Sequence, residues 1–337
     1  MEKKIYERIR SDLETELREK YRKKYSENNP MAEKRVREEW QAVLETENLI
    51  SLAETADLAF RLQKEKLPYW VRGTGGSSFL LYLLGVTGGN PLPPHFYCPR
   101  CRRIFPAAGK KDGWDLPGRL CPVCGAPCLP DGHNIPWQIH WGCGEKSCSV
   151  DFQADCGLGG KIREAAETHW LRKLEPETEL RYTRLEGGSA IVHLGAVSAA
   201  CTGEFGGKKR KASGILYPFP LNRAVRLYRE HFEEEGIPLP ETAADLISSL
   251  GLIRENGTWN EELRNRMEKE HLAAGELVVF RDDLFRRLRD TGCGLREALD
   301  RALHPDRETE NLCGSPRYLF PRAHWVEALL FRLQTGL

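Results

Sequence analysis

The chain has almost no net charge: 50 basic residues stand against 49 acidic ones among its 337. That excludes a global field drawing it to nucleic acid or to an acidic surface, so any such contact has to come from a local patch. Long hydrophobic runs are also missing. The greasiest stretch, Phe79 to Val86, is too short to span a bilayer, and the N-terminal MEKKIYERIRSDLETELREK has no apolar core of the signal-peptide kind. No membrane partner is expected, and a bacterial cytoplasmic location is the simplest. The sequence has no internal repeat, and its length allows a substantial core divided over two or three domains.

Cysteine, by contrast, is plentiful, with eleven residues. Without an export signal these read as metal ligands and buried thiols rather than disulfides. Cys98-x2-Cys101, a gap of nineteen residues, then Cys121-x2-Cys124 has the spacing of a four-cysteine zinc ribbon. Each pair forms a tight knuckle, helped by Pro99, Pro122 and Gly125, that aims two thiolates at one point. Four thiolates close the tetrahedron, so the expected Zn2+ is structural and not catalytic. Cys128, Cys143, Cys148 and Cys156 could each supply a substitute ligand but read more simply as buried or idle thiols, and Cys201, Cys293 and Cys313 show no pattern.

A second chemical signal precedes the cysteines. Arg72-Gly73-Thr74-Gly75-Gly76-Ser77-Ser78 supplies small residues, hydroxyls and one guanidinium just before an apolar helix. Such a loop can cradle phosphate: the amides of Gly75, Gly76 and Ser77 would point at an anion, and Arg72 would add a bidentate contact.

Residues 1–66 read as helices. Ile5, Ile9, Leu13, Leu17, Tyr21 and Tyr25 recur every four residues until Asn28-Asn29-Pro30 breaks the stripe. A second helix carries Val36, Trp40 and Leu44. A third, capped by Ser51 with Glu54, carries Leu52, Ala56, Ala59 and Phe60. Residues 91–136 are rich in proline, glycine and cysteine, and regular structure there is expected to be sparse. Short apolar runs such as 190–194 follow, then a charged loop, Lys208-Lys209-Arg210-Lys211, able to grip DNA phosphates. From Pro240 the pattern is helical again.

Taken together, VRGTGGSS, NPLPPHFYCPRC and LCPVCG resemble the palm region of the PolC-type DNA polymerase III alpha subunit. FRDDLFRRLRDTG and YLFPRAH resemble two of its fingers segments, so that the likeness spans about two thirds of the chain. The resemblance implies that the glycine loop holds the triphosphate of an incoming nucleotide through Arg72, Gly73, Gly76, Ser77 and Ser78, which match the family's pattern, and Thr74, which replaces a serine and keeps the hydroxyl. It also implies that Arg322 and His324 lie near nucleotide and template, although Trp325-Val326-Glu327-Ala328 replaces the family's small residues after them.

The family carries an Asp-x-Asp pair on a palm strand after a Gly-acid-Lys turn. Here Gly144-Glu145-Lys146 matches the turn, and the pair reads Ser149-x-Asp151. Asp151 is thus the sole matching palm carboxylate. Asp155, four residues on, is expected to serve neither the same face nor the same metal without a one-residue bulge. The third family aspartate has no counterpart in 191–195. Magnesium requires clustered hard oxygens. Losing two of three such ligands removes a rate factor of ~10³ or more.

These readings lead to an α+β expectation: a nucleotidyltransferase-like palm, a small mixed sheet with helices, carrying an inserted zinc ribbon and flanked by N- and C-terminal helical regions. The boundaries are 1–66 for the helical layer, 67–235 for the palm-like domain with its ribbon at 95–130, and 236–337 for truncated fingers. The expected role is DNA or dNTP binding, with replication proteins as further candidate partners, by a catalytically impaired relative that requires Mg2+ only if chemistry survives. An active metal-dependent nucleotidyltransferase and a decaying gene fragment are the alternatives. The family's exonuclease and phosphoesterase segments and its clamp-binding tail are expected to be absent.

Overall fold

The computed structural model describes residues 2–142, 148, 150–155, 180–184, 190–194, 197–203, 216–253, 259–313 and 318–336. Three helices come first: α1 (Glu2–Lys24), α2 (Pro30–Glu45) and α3 (Leu49–Lys64). The break between α1 and α2 is also a tie. Asn29 is fully buried, its amide nitrogen donates to the Ser26 and Arg102 carbonyls, and its oxygen accepts from the Ile104 N–H at 2.8 Å.

Helix α3 starts three residues earlier than a cap at Ser51 suggested, with Asn48 at the N-cap position. The Ser51 hydroxyl donates to the Cys148 carbonyl at 2.6 Å, and Asn48 accepts from the Cys148 N–H at 2.8 Å. Ser51, read as the cap, and Asn48, which holds the N-cap position, are both spent on a segment about 100 positions away, because a buried tertiary partner outcompetes a cap. Phe60, counted in the apolar stripe, is 49% exposed.

The helical layer covers one face of a five-stranded mixed sheet. Its strands are β1 (Tyr69–Arg72), β6 (Val150–Asp155), β7 (Leu180–Arg184), β8 (Ala190–Leu194) and β9 (Val197–Gly203), in the order β1-β6-β9-β8-β7. All neighbours are antiparallel except β6 and β9. Alternation along the first two strands sorts their side chains. Tyr69, Val71, Val150, Phe152 and Ala154 are buried with Ile9, Leu13, Leu52 and Phe79. Trp70, Arg72, Asp151 and Gln153 occupy the other face.

The reading of Asp155 is corrected on this point. Strand faces repeat every two residues, so positions 151 and 155 nominally share one face, about 13 Å apart. In addition, the ladder shifts register between Ala154 and Asp155, where nothing in the sequence demanded an irregularity.

Between β1 and β6 the chain makes the short helix α4 (Phe79–Leu83) and a four-stranded antiparallel sheet. The strands are β2 (His95–Tyr97), β3 (Ile104–Pro106), β4 (Arg119–Leu120) and β5 (Pro127–Asp131), in the order β3-β2-β5-β4. The helix α5 (Gln138–Trp141) leads back to β6.

The C-terminal part is helical: α6 (Leu221–Arg226), α7 (Arg229–Glu235), α8 (Ala243–Leu252), α9 (Glu261–Glu270), α10 (Arg281–Asp290), α11 (Leu295–Leu303), α12 (Arg307–Cys313) and α13 (Arg322–Thr335). Its main core joins Phe232, Leu246, Leu250, Phe280 and Leu329 to Trp114 and Ile135. The chain is therefore a mixed α/β protein with small, mostly antiparallel sheets. No described helix is long and apolar enough to cross a membrane.

Candidate functional site

The four predicted cysteines meet. Cys98 and Cys124 bring their sulfurs to 3.5 Å, Cys101 and Cys121 to 3.6 Å, and all four lie within 4.8 Å of one another. A zinc–sulfur distance of about 2.3 Å sets the edge of a sulfur tetrahedron near ~3.8 Å, so the cluster has the right size for such an ion. The knuckles form as the spacing predicts. The Arg102 N–H bonds to the Cys98 carbonyl and the Gly125 N–H to the Cys121 carbonyl, and Gly125 takes the left-handed conformation (φ +70°) that closes the second turn.

Burial opposes the Cys121 thiolate, but the amides of Val123 and Cys124 outweigh it and bring the group down to about 6. Cys101 is pushed up to about 12 by burial and by sharing hydrogen bonds with its neighbours. A fifth sulfur, Cys128, is buried beside the cluster and likewise raised to about 12. Among the described residues this is the one grouping of three or more His, Cys, Asp or Glu side chains sized for a metal ion.

The glycine loop lies between β1 and α4 as a single 3-10 turn at Gly75–Ser77. The Ser77 N–H, expected to face an anion, bonds to the Thr74 carbonyl at 2.8 Å. Ser78 caps α4 through the Leu81 N–H and accepts from the Trp141 indole at 2.9 Å. The amides that open α4 are held from within the chain. Fully buried Glu39 accepts from the Phe79 N–H (2.9 Å), the Leu80 N–H (3.2 Å) and the Ser78 hydroxyl (2.8 Å), and it pairs with Arg35 one turn back on α2.

The arginine completes the arrangement by donating to the Ser77 and Ile135 carbonyls at 2.8 Å each. Sequence reasoning missed Glu39. The signal was available: an Arg-x3-Glu pair in which the acid falls among the apolar positions Ala42 and Val43 of a helix face.

Helix α13 closes over the loop. The Gly73 N–H donates to His324 Nδ1 at 3.2 Å, and a Cβ at Gly76 would lie 3.1 Å from both Ala323 and Glu327 side chains. Glu327, in the segment that departs from the family pattern, accepts from the Gly88 and Gly89 amides at 2.6–3.1 Å. His324 packs edge-on against Trp70 (5.2 Å), and its pKa falls to about 4, through burial first and the Arg72 charge second. Because Nδ1 accepts, the neutral ring carries its proton on Nε2.

Arg322 turns inward. It is buried, 3.4 Å from Asp112, which also pairs with His133 at 3.0 Å. The structure thus gathers Arg72, Gly73, Gly76 and His324, and places Arg322 in a buried ion cluster. Arg72 is exposed and lies directly across the β1–β6 ladder from exposed Asp151. Gly144-Glu145-Lys146, Ser149 and Lys208-Lys209-Arg210-Lys211 lie outside the described residues.

Thr74 bonds to His140 Nδ1 at 2.8 Å, and burial lowers His140 to about 3. The folded pKa lies below the unfolded value near 6.5, so the unfolded chain takes up this proton first. The contribution of His140 is therefore intact above pH 6.5, shrinks as the pH falls through that value, and levels off only near pH 3. In urea titrations, the stability lead of the wild type over His140→Gln is expected to narrow between pH 7 and pH 4. A constant lead over that range would refute the assignment.

The arrangement is that of a mixed α/β protein with four cysteines clustered so that they could hold a metal ion, and with a glycine-rich loop between β1 and α4. No family model matches the chain. It is similar to proteins named DNA polymerase III PolC-type. The protein from Thermotoga petrophila is 34% identical over 139 residues, covering 40% of this chain and 10% of its own length. Those from Bacillus subtilis and Bacillus cereus are 42% and 40% identical over 84 residues, covering 24% of this chain and 6% of their own. The chain thus spans about a tenth or less of the length of these curated relatives. Over the matched stretch it is PolC-like, and the match is shorter than the two thirds over which the motifs were read.

Proposed function

We propose that the protein is a palm-bearing PolC-like relative that binds DNA or a nucleotide and has lost most of its nucleotidyl-transfer chemistry. The surroundings of Asp151 carry this reading. In sequence its near neighbours are Ser149 and Gln153, both neutral, and Gln153 shares its strand face. Across one ladder stands Arg72, and across the other, Ser198. A guanidinium thus stands opposite the one carboxylate that matches the family's pair, whereas a magnesium pair is held by clustered anionic oxygens.

In this reading 1–66 form the helical layer, 67–235 the palm with its ribbon at 95–130, and 236–337 the truncated fingers. The four cysteines hold structural zinc, and the exposed Arg72 serves phosphate. The test is primer extension with magnesium and with manganese, beside an Asp151→Asn variant. No template-dependent extension is expected. Extension that the variant abolishes would overturn the proposal in favour of an active nucleotidyltransferase. Fluorescence polarisation with primed DNA is expected to show salt-sensitive binding, and its absence leaves only a relic.

A further inference from the structure

From the charge and geometry of the cysteine module we infer that its arginine-rich end is a grip for nucleic-acid phosphates. The chain as a whole is nearly neutral, but residues 95–130 are not: they hold six basic residues, Arg100, Arg102, Arg103, Lys110, Lys111 and Arg119, and two acids, Asp112 and Asp115. Both acids are consumed inside the protein. Asp112 pairs with His133 and Arg322, and Asp115 accepts from the Ala243 and Ala244 N–H groups at 2.6 and 3.0 Å. Among the described residues none of the six cations is ion-paired. Five are exposed, and Arg103 is half-buried.

Chain position alone does not gather these charges; the cysteines do. Arg100 lies between Cys98 and Cys101, Arg102 and Arg103 follow directly, and Arg119 stands two residues before Cys121. Since the four sulfurs lie within 4.8 Å, the two knuckles bring these four arginines to one end of the module. Arg119 reaches across the sheet over the Phe96 ring at 5.2 Å. Exposed Leu120 and Val123 sit among them.

A tetrathiolate around a divalent ion carries a charge of −2, which the six cations exceed even together with the two acids. Guanidinium forks match phosphate oxygens in pairs, so arginine rather than lysine suits this task. The choice of nucleic acid as partner rests on the function proposed above, but the surface is separate from the glycine loop.

The test is polarisation with a labelled primed duplex at several salt concentrations, comparing wild type, the triple variant Arg100→Gln, Arg103→Gln, Arg119→Gln, and Arg72→Ala. Equal zinc content certifies that the triple variant is folded. Each phosphate contact contributes about 0.9 to the slope of log affinity against log salt. The triple variant is expected to lower that slope by roughly two to three and affinity on the order of tenfold or more.

A triple variant that binds like wild type, while Arg72→Ala loses affinity, overturns the grip and leaves the proposed function standing. Wild type with no salt-sensitive binding overturns both. Equal competition by polyglutamate of matched charge overturns the nucleic-acid partner in favour of an acidic protein.

Discussion

Replacing Cys98 by serine is expected to abolish stoichiometric zinc and to melt the whole module from His95 to Asp131. The module has little else to stand on. Its own buried core consists of Phe96, Leu116, Cys128 and the clustered Cys98 and Cys121, and its strands are two to five residues long. Structural zinc contributes about 10–16 kcal/mol to the folding of small finger domains, which matches or exceeds the ~5–15 kcal/mol that keeps an ordinary domain folded.

The damage should spread along the ties already described: Asn29 loses Arg102 and Ile104, α8 loses its Asp115 cap, and Arg322 loses Asp112. Trp114 provides the readout. It stacks on Phe219 at 4.2 Å and lies 4.3 Å from His133, so its fluorescence reports whether the module is docked. Metal analysis and a thermal melt check the expectation. A zinc-free variant with an unchanged melting temperature and Trp114 signal would rule it out.

The second large effect is expected from Glu39→Ala. This carboxylate serves four partners at zero exposure: the Arg35 guanidinium, the Ser78 hydroxyl and two helix amides. Removing one member of a buried pair leaves the other charge uncompensated and costs about 3–5 kcal/mol, and the stranded amides and hydroxyl add to it. Glu39→Gln keeps the shape and part of the hydrogen bonding, so it should recover part of the loss. Urea unfolding of the two variants tests the order. If both fall within ~1 kcal/mol of wild type, Glu39 is not the keystone of the loop.

Much of this was legible in the chain. The cysteine spacing led directly to the cluster because a covalent ligand geometry leaves little choice. The stripe from Ile9 to Leu17 led to the buried face of α1 because helical periodicity is local. What could not be read depended on distant partners. Nothing near Ser51 announces Cys148, nothing near Gly73 announces His324, and the register shift at Ala154 is a property of a ladder between two strands. The inward turn of Arg322 was hidden for the same reason: its acid lies 210 positions earlier.

The bond from Gly73 to His324 joins residues 251 positions apart. During synthesis, which proceeds from the N-terminus, the cysteine module has all its ligands once Cys124 has emerged, while the glycine turn waits for α13. A ribosome-bound chain stopped before residue 322 would therefore carry all four clustered cysteines while its glycine loop is still uncovered. The cysteine module and the glycine turn mature on separate clocks.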